Sequence, residues 1–151
     1  LYCLRYGATP MNWAVEYNKT KTFKQYIPLM VDLKKAAYQV IPAISGSDQL
    51  WFGRFGENTK TIFTISNPQR KAITSTLKLH RKYLGDFSPV AEYGKIENLV
   101  KDGEFYTFTC TIEPKKFIVL RDKTYKAINT AVWSKKLDIA KFMKSFKTII
   151  F

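Results

Sequence analysis

The chain has 151 residues, of which 46% are hydrophobic and 15% aromatic, and it carries a net charge of +13 at pH 7. A chain of this length is one ordinary domain or one domain with a helical appendage, and its globular composition excludes a disordered polypeptide. No apolar run approaches the roughly 18 residues of a membrane span, and no basic-then-apolar start resembles a signal peptide.

The positive charge comes from 25 Lys and Arg against 12 Asp and Glu, and it is spread along the chain. A basic surface is typical of proteins that bind phosphates or anionic membranes. Only five of the basic residues are Arg, the better side chain for binding phosphates or bases, and dispersed Lys is more often a solvated surface. Nucleic acid therefore stays an alternative partner on charge alone.

Cys3 and Cys110 are too few for a disulfide framework or a zinc site. A single Cys3–Cys110 bridge is one possibility. Two buried, unpaired thiols in a reducing compartment are the other, and the sequence favours them.

Residues 1–48 predict an irregular, packed segment followed by an amphipathic helix. The helix candidate is "KTFKQYIPLMVDLKKAAY", residues 21–38, whose apolar side chains recur at three- and four-residue spacing and share one face: Phe23, Ile27, Met30, Leu33 and Ala37. Pro28 is disfavoured inside a helix, so the helix either begins near Ile27 or is kinked there. The following "IPAISGSD" indicates a turn region.

Residues 49–121 change to the two-residue period of β-strands. Strand candidates are "QLWFGRF", "KTIFTIS", "AITSTLKL", "ENLV", "EFYTFTCTI" and "KFIVLR", separated by Gly, Asn-Pro, Asp-Gly and Pro turn signals. Two of them alternate clearly, and each has one predicted inward face: Ile73, Ser75, Leu77 and Leu79 in the first, and Tyr106, Phe108, Cys110 and Ile112 in the second.

Residues 122–151 leave the β pattern and predict a basic helical tail. Ser134 is a good N-cap, and four apolar side chains can face inward from a closing helix: Leu137, Ala140, Met143 and Phe146. The predicted fold class is therefore mainly β with flanking helices, that is α+β. It is an antiparallel β-sandwich preceded by an amphipathic helix and closed by a C-terminal helix, in one compact unit.

Residues for catalysis or metal binding do not converge in the sequence. His80 is the single histidine, and it lies at the end of a strand candidate, where a surface role is expected. The spacing shows no metal-ligand set and no Gly-rich phosphate loop, so we predict no metal and no cofactor. Four carboxylates fall in the β region, where solvation is their expected role: Glu92, Glu97, Glu104 and Glu113.

Aromatic side chains are the other candidates for function, because their flat apolar faces stack on sugars or bases. Trp51, Tyr106 and Trp133 are the candidate carbohydrate-binding residues. Packing in the core is the alternative role for Trp51 and Trp133.

The segments "LRYGATPMNW", "YIPLMVDL", "SDQLWFGRFG", "TIFTISNP" and "TFTCTIEPKKFIVLR" follow one another in an order that resembles the C-terminal part of a glycoside hydrolase. In such enzymes a catalytic (β/α)8 barrel ends with its last strand and helix, and an antiparallel β-sandwich follows. The meander from Arg54-Phe55-Gly56 to Asn67-Pro68 and the strand from Pro114 to Leu120 are the matching pieces.

The resemblance covers residues 1–121, and the basic tail at 122–151 departs from it. The resemblance implies a fold, but it assigns no catalytic residues to this chain. The carboxylates of such enzymes lie at the ends of barrel strands, and these would precede Leu1, so none is assigned to this chain.

The sequence thus leaves three functional hypotheses. The first is a non-catalytic accessory β-sandwich of a carbohydrate-active enzyme, which packs on a catalytic barrel domain or binds polysaccharide. The alternative is a stand-alone basic protein that binds nucleic acid. A complete small enzyme would instead require a cleft that holds two carboxylates roughly 5–10 Å apart.

Overall fold

The computed structural model describes residues 20–125, without the side chains of residues 20–25 and Ile27. This part of the chain forms one α-helix, nine β-strands and two short 3₁₀ turns, at Asn58–Lys60 and Arg81–Tyr83. In chain order the regular elements are α1 (Thr20–Ala36), β1 (Tyr38–Gln39), β2 (Ile44–Ser45), β3 (Trp51–Phe55), β4 (Ile62–Ser66), β5 (Ile73–His80), β6 (Pro89–Glu92), β7 (Glu97–Asp102), β8 (Phe105–Ile112) and β9 (Phe117–Asp122).

The strands form two antiparallel sheets, of five and four strands. The five-stranded sheet has the order β1-β3-β4-β9-β6, and the four-stranded sheet has the order β2-β5-β8-β7. Their facing sides enclose one hydrophobic core. The prediction of a mainly β, sandwich-like fold with a preceding helix is confirmed.

Strands β5 and β8 form the inner wall of the four-stranded sheet with the predicted alternation. Leu77 pairs with Phe108 and both are fully buried, while the next pair along the strands, Thr76 and Thr109, faces outward. Because side chains alternate across a strand, one register places the apolar residues of the predicted inward faces in the core, whereas Phe105 at the start of β8 lies outside it. The predicted inward faces of both strands are confirmed.

Strands β4 and β9 are buried on both faces. On β4, Phe63 and Ile65 point into the sandwich core, whereas Ile62 belongs to a second cluster beneath α1. On β9, Ile118 and Leu120 lie in the core and Val119 lies beneath the helix. A strand covered on both sides needs a continuous apolar run, which explains "TIFTIS" and "KFIVL".

Three short strands were not predicted from the sequence: β1, β2 and β6. Strands β1 and β2 have two residues each, and they begin the β region before residue 49. Alternation cannot be read in two residues, so only the pairing of β1 with β3 and of β2 with β5 defines these strands.

Helix α1 runs through Pro28, so the alternative start near Ile27 is wrong. A proline inside a helix costs about 3 kcal/mol. The complete burial of Leu33 and near-complete burial of Leu29 each contribute roughly 1.5–3 kcal/mol, which offsets that cost. Ala37 was assigned to the helix face, but it lies just past the helix, exposed and with φ 63°.

Gly56 ends the Arg-Phe-Gly motif, where the backbone requires a glycine. Its φ is +73°, and a Cβ atom there would lie 2.6 Å from the carbonyl oxygen of Lys60. Its amide donates a 2.9 Å hydrogen bond to the carbonyl of Ala37, which connects the β3–β4 turn to the end of α1. The motif is therefore explained by local backbone geometry.

Asn67 joins two loops at one end of the sandwich. It is fully buried, and its amide group donates to the carbonyls of Lys71 (2.8 Å) and Ile112 (2.7 Å). Its side-chain oxygen accepts from the amide of Gln69 at 2.8 Å, and its backbone exchanges two hydrogen bonds with residues 115–116. The Asn-Pro signal therefore marks a corner that connects the β4–β5 loop to the β8–β9 loop.

Cys110 is a free thiol buried in the sandwich core, so the alternative Cys3–Cys110 bridge is not formed. Burial raises the pKa of the Cys110 thiol to about 11. This thiol is therefore a small apolar core residue at neutral pH.

Several predictions fall on residues outside the described range: the irregular segment at 1–18, the closing helix after Ser134, and Trp133. Within residues 20–125, no helix is both long and apolar enough to cross a membrane.

Candidate functional site

The outer face of the five-stranded sheet holds the densest set of chemically distinctive residues, because α1 lies on it. Leu29 and Leu33 of the helix pack against Phe55, Ile62 and Val119, which come from the three central strands of the sheet. These five side chains form a closed apolar layer, separate from the sandwich core. We refer to this helix-covered surface as the α1 face.

A buried ion network lies beside this apolar layer. The guanidinium of Arg121, on β9, donates to the Asp32 carboxylate of α1 at 2.7 Å and contacts the Glu92 carboxylate of β6 at 3.0 Å. Arg121 and Asp32 are 3% and 2% exposed, and the Glu92 side chain is 40% exposed. One guanidinium thus connects the helix to two neighbouring strands.

Two tyrosines complete the network. The Tyr125 ring lies 4.6 Å from the Arg121 guanidinium carbon. Burial and then the Asp32 carboxylate raise the pKa of Tyr125, while burial and then Glu92 raise the pKa of Tyr93. Both phenols therefore stay protonated at neutral pH and act as neutral donors or packing groups.

The arrangement of the two carboxylates favours anchoring over acid–base chemistry. A glycosidase pair needs both groups open to the substrate, with room for it between them. Asp32 is covered by its own helix, and both carboxylates share one arginine. Removing one partner of such a pair leaves a buried charge uncompensated, so the network holds α1 in a single position on the sheet.

A group of aromatic rings borders the network at the edge of the α1 face. Tyr26, Tyr93 and Phe117 contact one another, with ring centroids 5.4–5.6 Å apart. Tyr93 is 40% exposed and has φ 60°, a backbone conformation that non-glycine residues rarely adopt. The rings extend the contact of α1 to the edge strand β6.

The predicted carbohydrate-binding residues are not brought together. Trp51 is half-buried on β3 in the five-stranded sheet, opposite Ser66. Tyr106 lies on β8 in the other sheet, and its hydroxyl donates to the carbonyl of Phe87 at 2.7 Å, a contact that closes the core. Trp133 lies outside the described residues.

His80 and the predicted carboxylates also lie apart. His80 is half-buried between the rings of Tyr83 and Phe105, at 5.8 and 4.6 Å. Of the four carboxylates, Glu92 belongs to the ion network, and the other three are exposed: Glu97, Glu104 and Glu113. Among residues 20–125, no group of three or more His, Cys, Asp or Glu side chains is placed to hold a metal ion.

Asp32 and Arg121 were not predicted as functional residues, although the sequence carries a signal for each. Asp32 directly precedes Leu33 in the apolar part of the helix, and Arg121 ends the apolar run "FIVLR". A charged residue inside a segment that is otherwise buried requires a partner, and the two charges have opposite sign. Because Asp32 and Arg121 are 89 positions apart in the chain, the sequence does not indicate that they pair.

Comparison with known proteins gives no relative for this chain: no family model, no curated protein and no solved structure matches it.

Proposed function

We propose that this chain is a non-catalytic accessory β-sandwich region of a carbohydrate-active enzyme of the glycoside hydrolase kind. In this role it packs on a catalytic domain or holds carbohydrate beside it. The observation that carries the proposal is the anchoring of α1 on the outer face of the five-stranded sheet. The chain order of helix, Arg-Phe-Gly meander and Asn-Pro corner is the one that the resemblance implies.

The anchoring supports the proposal because it joins the helix and the sandwich into one body. Asp32, Arg121 and Glu92 connect the helix to two strands, and the apolar layer beside them is closed. An accessory region that follows a barrel needs such a rigid connection, since a loose helix would not position the sandwich relative to the catalytic domain.

An exposed apolar segment next to α1 offers a surface for the catalytic domain. Tyr38, Val40 and Ile41 are 43%, 84% and 53% exposed, and they lie within four consecutive residues. Three large apolar side chains exposed together are typical of a protein contact surface. In the proposed enzyme, this segment contacts the barrel next to the helix that precedes it.

The first experiment identifies the polypeptide that carries this sequence in its own cells. An antibody raised against the 151-residue chain captures it, and mass spectrometry gives its mass. We expect a mass several times 17.5 kDa, together with hydrolysis of aryl glycosides by the captured protein. A polypeptide of 17.5 kDa without glycosidase activity would contradict the proposal.

A pair of variants tests the docking segment in the captured enzyme. Val40→Ser with Ile41→Ser removes apolar contact area, so we expect a lower melting temperature of the whole enzyme. The same change in the isolated chain should leave stability nearly unchanged, because both side chains are exposed there. Leu99→Ser, at a residue 43% exposed on β7, is the matched control and should affect neither.

Nucleic-acid binding is the second candidate, and a cluster of cations on aromatic rings favours it. The Lys78 ammonium lies 5.9 Å from the Phe105 ring, and the Lys82 ammonium lies 5.8 Å from the Tyr83 ring. His80 lies between these two rings. Cations beside aromatic faces are what single-stranded nucleic acids bind through phosphates and stacked bases.

The test of this candidate is binding of poly(U) and single-stranded DNA at several salt concentrations. Contacts to phosphates weaken by powers of ten over a fourfold rise in salt. If bases stack on the Phe105 ring, Phe105→Ala should weaken nucleic-acid binding at each salt concentration. Phe117→Ala on the α1 face should leave the binding unchanged. Weak binding that is insensitive to salt would remove this candidate.

A further inference from the structure

A shallow, largely open hollow of about 470 Å³ lies at the end of the sandwich that Asn67 organises. The β4–β5 loop supplies four of its lining residues and the β8–β9 loop supplies one: Pro68, Gln69, Arg70, Lys71 and Lys115. Three of these five side chains are cations, and no acidic side chain lines the hollow. We call it the basic hollow.

The two loops that form the basic hollow are held in fixed positions. Asn67 donates to the carbonyls of Lys71 and Ile112, so each loop is bound to the same buried amide. The backbones of residues 67 and 115–116 exchange two further hydrogen bonds at 3.0 and 3.1 Å. The positions of the surrounding cations therefore depend on the buried corner, and binding needs little ordering of the backbone.

Lys115 occupies a backbone position that favours glycine. It is the third residue of a turn in which the Lys116 amide donates to the Glu113 carbonyl at 3.1 Å, and its φ is 58°. With Pro114 in the second position, this is a type II pattern, in which the third residue is usually Gly. A lysine here costs stability, and strain of this kind is concentrated at functional sites.

The ammonium of Lys115 hydrogen-bonds the carbonyl of Pro68 across the hollow. This contact places the charge at the mouth between the two loops instead of in free solution. A hydrogen bond made by an exposed lysine adds little stability. This hydrogen bond alone therefore does not account for a lysine at a position that favours glycine.

The chemistry of the lining identifies the class of ligand. Arg70, Lys71 and Lys115 suit a carboxylate, the Gln69 amide suits hydroxyl groups, and the Pro68 ring offers a small apolar surface. A sugar acid carries all three features: one anionic group, several hydroxyls and a face of C–H groups. Nucleic acid fits less well, because no aromatic ring for base stacking is among the residues that line the hollow.

We propose that the basic hollow binds a uronic-acid residue of an acidic polysaccharide, with Lys115 and Arg70 contacting its carboxylate. The choice of a glycan among anionic ligands rests on the proposed function. Lys115 is then a binding residue whose backbone strain is retained because glycine would remove the cation.

The experiment is calorimetric titration of the full chain with trigalacturonate and triglucuronate in about 0.15 M NaCl, which screens non-specific attraction to the positive surface. We expect binding of at least one of them and none of neutral maltotriose. Lys115→Gly should weaken affinity roughly fivefold, the effect of losing one exposed ionic contact. The same variant should melt roughly 2–4 °C higher, because glycine relieves the strain.

Two control variants separate charge from backbone effects. Lys60→Gln removes a cation before β4, at the opposite end of the sandwich, and should leave affinity unchanged. Ala37→Gly relieves the backbone strain at another residue with a positive φ, so it should raise the melting temperature without changing the affinity for uronate. Arg70→Gln should weaken binding as Lys115→Gly does.

Three outcomes would overturn the inference: no binding of either uronate, equal weakening by Lys60→Gln, or tighter binding of poly(U) through Lys115 and Arg70. Different outcomes overturn the proposed function. A large glycosidase whose hollow binds no uronate overturns this inference alone. A 17.5 kDa polypeptide without glycosidase activity that binds uronate through the hollow overturns the proposed function alone.

Discussion

Single side chains with several hydrogen bonds determine the loop geometry of this protein. Asn67 is fully buried, yet its side chain makes three hydrogen bonds, all to backbone groups. An amide suits this position because it both donates and accepts, which neither an apolar side chain nor a carboxylate can do. The shape of the basic hollow therefore depends on this residue.

Substitutions at Asn67 test this dependence. Asn67→Ala loses three hydrogen bonds and leaves buried carbonyls unpaired, so we expect a loss of about 2–4 kcal/mol in the free energy of unfolding. Asn67→Asp should cost more at pH 7, because a carboxylate would face two carbonyl oxygens. Urea denaturation measures both, and Gln49→Ala, which removes an exposed amide side chain between β2 and β3, is the control. A loss below 1 kcal/mol in both Asn67 variants would contradict this role.

Asp122 makes the stability of the fold depend on pH in the acidic range. Its carboxylate accepts hydrogen bonds from the Ser88 amide at 2.5 Å and from the Thr124 amide and hydroxyl at 2.8 and 2.5 Å. Burial alone would raise the pKa of Asp122, but the hydrogen bonds from Thr124 and Ser88 outweigh it and lower the pKa below its usual value. The charged form is thus favoured by folding.

This lowered pKa gives a prediction with a definite sign. The stabilisation by Asp122 is present above the unfolded-state pKa of about 4 and is lost as pH falls through the folded-state pKa. We expect Asp122→Asn to be less stable than the natural chain at pH 7, and the difference to shrink below pH 4. Urea denaturation at pH 7, 5 and 3 measures it; a difference independent of pH would be inconsistent with this explanation.

At the scale of elements, α1 and β9 form the connection on which the helix position depends. Asp32 and Arg121 are both buried, and each is the other's closest charged partner. Pairs of this kind are weak sources of stability when intact but costly when broken. The network therefore sets the position of the helix more than it adds to the total stability.

A single variant and a double variant separate these two contributions. Asp32→Ala leaves the Arg121 guanidinium buried with only Glu92, so we expect a loss of about 3–5 kcal/mol in the free energy of unfolding. Asp32→Leu combined with Arg121→Met should restore most of that loss, because two apolar side chains fill the same space. Thermal and urea denaturation of the natural chain and of both variants provide the energies. A double variant as unstable as Asp32→Ala would mean that the charges themselves stabilise the fold.

The elements differ in how far the sequence predicts them. Strands β5 and β8 follow from alternation alone, since one face is apolar and the other is rich in Thr. The predicted end of the helix is two residues too far, because Ala37 continues the apolar pattern but lies in the left-handed region. The ion network and the basic hollow could not be predicted, because each joins residues from distant parts of the chain.

At the scale of the whole molecule, the net charge of +13 acts against compactness. Exposed cations lie on α1, on strands of the four-stranded sheet and in several loops, so they repel one another across the described surface. We expect the melting temperature to rise between about 0.01 and 0.15 M NaCl, as the screening length falls from roughly 30 to 8 Å. Melting temperatures measured in a non-ionic osmolyte at equal osmolality are the control. No rise with salt would show that the charges are already balanced locally.

The pairing of Asp32 with Arg121 also has a consequence for synthesis of the chain. Helix α1 is synthesised before strand β9, because Arg121 follows Asp32 by 89 residues in the chain. At elongation rates of roughly 5–20 residues per second, the apolar layer under α1 lacks Val119 of β9 for on the order of 4–18 seconds, although Phe55 and Ile62 are already made. During that interval Leu29 and Leu33 are only partly covered, and a chain released before Phe117 would lack the strand that contributes to both hydrophobic layers.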